Sequence, residues 1–153
     1  MLAVWNDPAF IRYVGDREIR TTEQARQALK DGVLKLYGEH GYGPYVVSKR
    51  ADGRPMGICG LFKRENLNAP DIGYALLPEF CRSGFAYEAA EAVMMHAREY
   101  MKLGRVAAIV SPENSHSIRL LEKLGMTVEK SIRMPGEDED VLLYGMMLHD
   151  KMD

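Results

Sequence analysis

Apolar positions in the first forty residues recur at helical spacing. Pro8 follows Asp7, a pair suited to opening a short helix through Tyr13, because proline is tolerated in a first turn. Thr21 and Gln24 stand at capping-box spacing, and Ala25, Ala28, Leu29 and Leu36 continue as one stripe of a longer helix. Gly38 to Pro44 breaks it. From Tyr45 the texture changes to strands: Tyr45–Ser48 and Met56–Phe62 are joined through Asp52-Gly53, a turn pair that accepts positive φ. A third strand, Asp71–Leu77, is stopped by Pro78. Ala86, Ala89, Ala90, Val93, Met94, Ala97, Tyr100 and Met101 then return to helical spacing, which predicts a helix through Lys102 with one buried face.

Gly104 ends that helix, and Val106–Val110 is a short apolar run suited to the middle of a sheet. Asn114 or Ser115 can cap a helix whose inward stripe includes Ile118, Leu121 and Leu124 and which Gly125 closes. Two last strands, Thr127–Met134 and Val141–Leu148, flank Pro135-Gly136 and an acidic turn. Helices, a three-stranded meander, then α, β, α, β, β predict an α/β fold: a mixed sheet with helices packed on it. The 153 residues contain no repeat or linker and fit one domain over 1–153, long enough to bury a core without disulfide or metal.

Twenty Lys+Arg against twenty-two Asp+Glu leave a net charge of −2, which argues against a nucleic-acid or anionic-membrane binder. Cys59 and Cys81 have no C-x-x-C spacing, and His40, His96, His116 and His149 form no ligand cluster, so no metal is expected. The N-terminus lacks a basic n-region, and no apolar run approaches the ~18 residues of a membrane span. A soluble cytoplasmic protein is the expectation.

The segment Pro78-Glu79-Phe80-Cys81-Arg82-Ser83-Gly84-Phe85-Ala86 carries the chemistry. It leads from a strand into a helix N-terminus, where unpaired N–H groups and a positive partial charge suit a phosphate or pyrophosphate. Gly84 removes the side chain where a ligand must approach, and Ala86 keeps the next turn small. The loop is neither a Walker P-loop nor G-x-G-x-x-G. On its own, a plain strand-to-helix turn explains it equally well.

Its setting adds more. With the strand Asp71–Leu77 before it and Asn114-Ser115-His116-Ser117-Ile118-Arg119-Leu120-Leu121-Glu122-Lys123-Leu124-Gly125-Met126 after it, the loop resembles the GNAT acyl-CoA N-acyltransferase superfamily. The likeness is greatest to the branch of ribosomal-protein alanine N-acetyltransferases. The family's loop, Gln/Arg-x-x-Gly-x-Gly/Ala, matches Cys81 to Ala86, with cysteine at the opening position. The second signature, Asn-x-x-Ser-x-x-x-Leu-x-x-x-Gly-Met, matches Asn114 to Met126.

The resemblance implies a GNAT-like mixed, mostly antiparallel, splayed sheet flanked by helices. Asp71–Leu77 would part from Val106–Val110, and the pantetheine arm of a coenzyme A thioester would pair with the exposed edge as an extra strand. Leu76 and Leu77, with Arg82, Ser83, Gly84, Phe85, Ala86 and Tyr87, would supply amide donors, and Asn114 would meet the pantetheine. The family has a first strand ahead of the segment matching Asn6-Asp7-Pro8 that has no counterpart in this sequence, so the expectation is either that the sequence is a shortened one or that the sheet keeps an uncovered edge. In the second case the edge would invite a second copy of the chain, hence a homodimer or poor solubility.

The implied reaction is transfer of acetyl from acetyl-CoA to an amine acceptor, a small molecule or a peptide N-terminus, by direct attack in a ternary complex. By resemblance Ser117 is the candidate for the leaving thiolate, although capping alone accounts for a serine there. Asp71 is a candidate base, against the reading of an exposed strand-end carboxylate or a water chain. His116 lies about 100° round the helix from Ser117, so the two do not form a base pair. Cys59 and Cys81 lack an activating neighbour for a ping-pong acyl-enzyme. Tyr144 could line the cleft or be an ordinary sheet residue. Glu137-Asp138-Glu139-Asp140 could draw a cationic amine or be a solvated turn, and Arg82 and Arg119 could meet coenzyme A phosphates. The rival readings are a non-catalytic acyl-CoA-binding or regulatory domain and, more weakly, a nucleotide-phosphate binder.

Overall fold

The computed structural model describes residues 1–149, so the last four positions of the expected domain lie outside the described residues. Its helices begin where the sequence provides caps. Asp7 accepts from the Phe10 amide at 3.3 Å and starts α2, Pro8–Tyr13, with proline in the first turn. Thr21 and Gln24 form the reciprocal box that opens α3, Thr22–Ala28. A wider π-type turn over Leu29–Leu34 continues into α4, Lys35–His40, which ends at Gly41 in the left-handed region, φ 74°. The π turn shifts the apolar stripe: Ala25 is buried, whereas Ala28, Leu29 and Leu36 are only half-buried. A first helical turn, α1 (Leu2–Trp5), has no sequence signal ahead of Asp7, yet it buries Val4 and Trp5.

The sheet contains β1 (Pro44–Ser48), β2 (Pro55–Phe62), β3 (Asp71–Leu76), β4 (Arg105–Val110), β5 (Thr127–Arg133) and β6 (Asp140–Met147), in the order β1-β2-β3-β4-β6-β5. Among the described residues all pairings are antiparallel except β3 with β4, as a mostly antiparallel sheet requires. Asp52-Gly53 makes the β1–β2 turn, with Gly53 at φ 73°. β1 is an edge, and Val46 on it is 66% exposed.

Two helices cover one face of the sheet. α5, Phe85–Glu99, lies on β2 and β3 and buries Ala90, Val93, Met94 and Ala97. α6, Ser115–Lys123, lies against β4 through the fully buried Leu121. Leu61, Val106, Ala108 and Tyr144 complete this core, and each large apolar side chain withdrawn from water contributes about 1.5–3 kcal/mol. The opposite face carries a smaller cluster of Leu67, Ala69, Ala107 and Leu143. α5 is shorter than its periodicity predicts. It stops at Glu99, Lys102 takes a left-handed φ of 54°, and Tyr100 lies exposed against His96 with ring centroids 5.2 Å apart.

Candidate functional site

β3 and β4 run parallel but meet at one register position, Asp71 opposite Ala107. The Ala107 amide donates to Pro70 there at 2.8 Å, and beyond it the strands diverge. The V that opens is the seat of a cleft of about 680 Å³. Its walls come from α1 and α2 (Trp5, Phe10), from β3 (Asp71, Tyr74), from the start of α6 (Asn114, Ser117) and from the β5–β6 turn (Glu137, Glu139).

At the open end of the V stands the turn into α5. Gly84 caps that helix at φ 83° with no side-chain partner, and Arg82 is also left-handed, φ 63°. Among the described residues, no internal hydrogen bond engages the amides of Arg82, Ser83, Gly84, Phe85, Ala86 or Tyr87; the first bonded amide is that of Glu88, to the Gly84 carbonyl. Six successive unpaired N–H groups at the N-terminus of a fifteen-residue helix make a cradle for an anion. Arg82 reaches His116 of α6 at 3.3 Å, and Lys123 of α6 lies 4.0 Å above the Tyr87 ring, so side chains of α6 bracket the turn.

Strand alternation settles which β3 amides face the gap. The Leu77 amide donates to Met56 of β2 at 2.8 Å, so that of Leu76 points the other way, toward the space β4 has vacated. This corrects the expectation for Leu77, whose N–H is already used, and leaves Leu76 as the free donor. β2 approaches β3 closely here: a Cβ on Gly57 would overlap the Ala75 carbonyl.

Asn114 caps α6, its Oδ1 accepting from the Ser117 amide at 3.3 Å. Ser117 is therefore not the cap. Its hydroxyl lies 2.6 Å from the Tyr74 hydroxyl, across the V. Asp71 is not an exposed strand-end carboxylate either. It is 1% exposed, Arg64 Nε donates to its Oδ2 at 3.0 Å, and its Oδ1 has no partner. Burial pushes its pKa above the usual carboxylate range, and the charges of Arg64 and Lys63 offset this only in part. Arg17, set 5.4 Å over the Trp5 ring and also lining the cleft, has its pKa lowered by burial and then by Arg64.

Neither thiol is poised for covalent chemistry. Cys59 is buried and its pKa is pushed up to about 12 by desolvation; Cys81 is exposed, directs Sγ toward the Leu77 carbonyl at 3.5 Å, and is also raised, by burial first. Tyr144 belongs to the core, with its hydroxyl 3.5 Å from Glu122, and does not line the cleft. Asp140 of the acidic turn pairs with Arg133 at 2.9 Å, while Glu137 and Glu139 face the cleft rim. Sequence reasoning overlooked Arg64, Tyr74 and the α1–α2 wall. Tyr74 carried one usable signal, its alternation with Ile72 on the face that looks toward the helices.

Among the described residues, no group of three or more His, Cys, Asp or Glu stands close enough to hold a metal ion, and no helix is long and apolar enough to cross a membrane. Residues 1–127 match the family described as acetyltransferase (GNAT) domain. The uncharacterized N-acetyltransferase p20 of Bacillus licheniformis is 31% identical over 152 residues, covering 94% of this chain and 83% of that protein. A GNAT-family acetyltransferase structure from Bacillus anthracis superimposes with a TM-score of 0.76 at 25% identity, covering 97% of this chain and 87% of the other. The ribosomal L7/L12 alpha-N-protein acetyltransferase RimL, solved in complex with coenzyme A, gives a TM-score of 0.80 at 20% identity over 95% of this chain and 84% of its own. The family match covers most of the sequence and the fold agrees with it: the chain belongs to the GNAT acetyltransferase family.

Proposed function

We propose that this protein transfers the acetyl group of acetyl-CoA to a primary amine or a protein N-terminus by direct attack in a ternary complex. The observation that carries the reading is the run of six unpaired amides from Arg82 to Tyr87 at the mouth of the splayed strands. A diphosphate there receives main-chain donors and the positive end of α5 together. An extended arm then runs along β3, and the Leu76 amide faces the position of the thioester carbonyl. RimL, which shares the fold and was solved with coenzyme A, supports the assignment.

The residues divide the work of aminolysis. Asp71, withdrawn from water with a free Oδ1, takes a proton from the incoming ammonium, directly or through water. Its raised pKa brings it nearer the affinity a base for an amine needs. The Leu76 amide donates to the carbonyl oxygen as negative charge develops on it. Ser117 offers its O–H to the sulfur as the C–S bond breaks, and Asn114 holds the start of α6 in place for that contact. Burial, which raises the pKa of both thiols, supports attack by the amine itself rather than a thioester on the enzyme. Holding donor and acceptor in one cleft supplies much of the remaining rate enhancement.

Calorimetric titration with coenzyme A, followed by thiol release from acetyl-CoA over a panel of amines and peptide N-termini, tests the proposal. Binding with turnover on at least one acceptor is expected. Binding with no turnover on any acceptor favours a regulatory acyl-CoA-binding domain, and failure to bind coenzyme A overturns the site.

A further inference from the structure

Among the described residues, Tyr74 is the side chain of β3 that hydrogen-bonds across the V to α6. Its ring packs against the main core, and its hydroxyl lies 2.6 Å from Ser117 Oγ and 3.3 Å from the Ser117 carbonyl. The backbone ladder between β3 and β4 ends at Asp71, so this contact fixes the gap further along the strand. We infer that Tyr74 is a positioning residue for Ser117, holding that hydroxyl so its proton faces the leaving sulfur; the inference rests on the transfer reaction proposed above.

The direction of the bond follows from the two groups. Either hydroxyl could donate across the 2.6 Å contact; because a phenol is a stronger donor and a weaker acceptor than an alcohol, and Ser117 Oγ is nearer than the Ser117 carbonyl, the inferred arrangement has Tyr74 donating to Oγ. Burial raises the Tyr74 pKa to about 12, so the phenol keeps its proton through the neutral range. Ser117 has no competing duty, since Asn114 supplies the cap. A helical serine often donates back to the carbonyl one turn earlier, and here that bond is absent among the described residues. With one lone pair filled by Tyr74, the Ser117 O–H is left to point into the cleft that Ser117 lines.

In the reaction the amine nitrogen forms a bond to the acetyl carbon and the C–S bond breaks. The electron pair remains on sulfur, where the Ser117 O–H hydrogen-bonds to it. Of the two protons the ammonium loses, the one taken by Asp71 passes on to solvent, and the one lost as the amide forms reaches the sulfur through water. Tyr74 and Ser117 both finish with the protons they began with, so neither needs recharging.

Without the phenol hydroxyl, Ser117 is free to turn among its staggered rotamers. Tyr74→Phe is therefore expected to lower the single-turnover transfer rate roughly tenfold, the worth of one well-placed hydrogen bond. KM for the acceptor and the coenzyme A dissociation constant are expected to stay within about twofold, because the ring and its packing remain. In a Ser117→Ala background the same change is expected to add no further loss, as for two groups acting as one unit. A Tyr74→Phe rate within twofold of wild type overturns the inference. So does an equal loss in the Ser117→Ala background, or a fall in coenzyme A affinity that accounts for the rate. Absence of transfer by the wild-type chain instead overturns the reading beneath it, and that result is visible before any variant is made.

Discussion

The turn Arg82–Tyr87 offers main-chain hydrogens in the open, on residues that are exposed or half-buried. Asp71 and Arg64, at the opposite end of β3, offer side chains, and the carboxylate is almost wholly withdrawn from water. The first arrangement depends on backbone shape and tolerates most side chains, which explains how Cys81 can open the loop. The second depends on the identity of each group and on a low local dielectric, which strengthens an interaction with a bound ligand and penalises an unpaired charge. In the proposed reaction, recognition by shape and reactivity by buried charge would sit at the two ends of one six-residue strand.

Substitutions that separate binding from rate sharpen this contrast. Asp71→Asn is expected to lower single-turnover transfer by about 10²–10⁴ while leaving coenzyme A affinity within twofold. In the wild type a base works only when deprotonated, so the rate is expected to fall as the pH drops through the Asp71 value. Burial places that limb above the ordinary carboxylate range, and Asp71→Asn is expected to abolish it. An unchanged rate in this variant assigns deprotonation to water alone. Gly84→Val reverses the pattern: a β-branched residue at φ 83° costs about 1–2 kcal/mol and crowds the approach to the amides. Calorimetry is expected to show coenzyme A affinity at least tenfold weaker, with the rate at saturation little altered.

Asn114→Ala lies between the extremes. Loss of the α6 cap is expected to reduce unfolding free energy by about 0.5–2 kcal/mol in urea titrations, with a modest fall in rate through Ser117. Arg82→Ala is expected to matter least, less than about threefold in coenzyme A affinity and less still at high salt, since exposed charges are screened. If Arg82→Ala instead weakens binding as much as Gly84→Val, the turn works through its side chains and the contrast between the two ends fails.

What could be read from the sequence tracks how local each feature is. The Thr21–Gln24 box, the Asp52-Gly53 turn and the glycine at 84 each depend on residues within a few positions, and all three lie where the spacing places them. The family signatures carried the splay and the general placement of Ser117 and Asn114. The Tyr74–Ser117 contact joins residues 43 positions apart and needs the V to exist first. Burial of Asp71 depends on the connection between β2 and β3 folding Arg64 back over it, a tertiary fact with no periodic signature. Leu77 was misjudged as a donor because one residue of register decides which amide faces outward. Tyr100 was misjudged because its stripe continues past the point where the backbone turns.

The parallel pairing between β3 and β4, the only one among the described residues, leaves a seam through the middle of the sheet. Amide protons on the seam side of β3, at Tyr74 and Leu76, have no strand to shelter them in the free protein and are expected to exchange quickly with deuterium. An extended ligand lying in the seam would slow both and raise the cost of unfolding in proportion to its occupancy. The acetyl donor would then also act as a transient strand of the fold, and its cellular level would set how long the chain resists proteases.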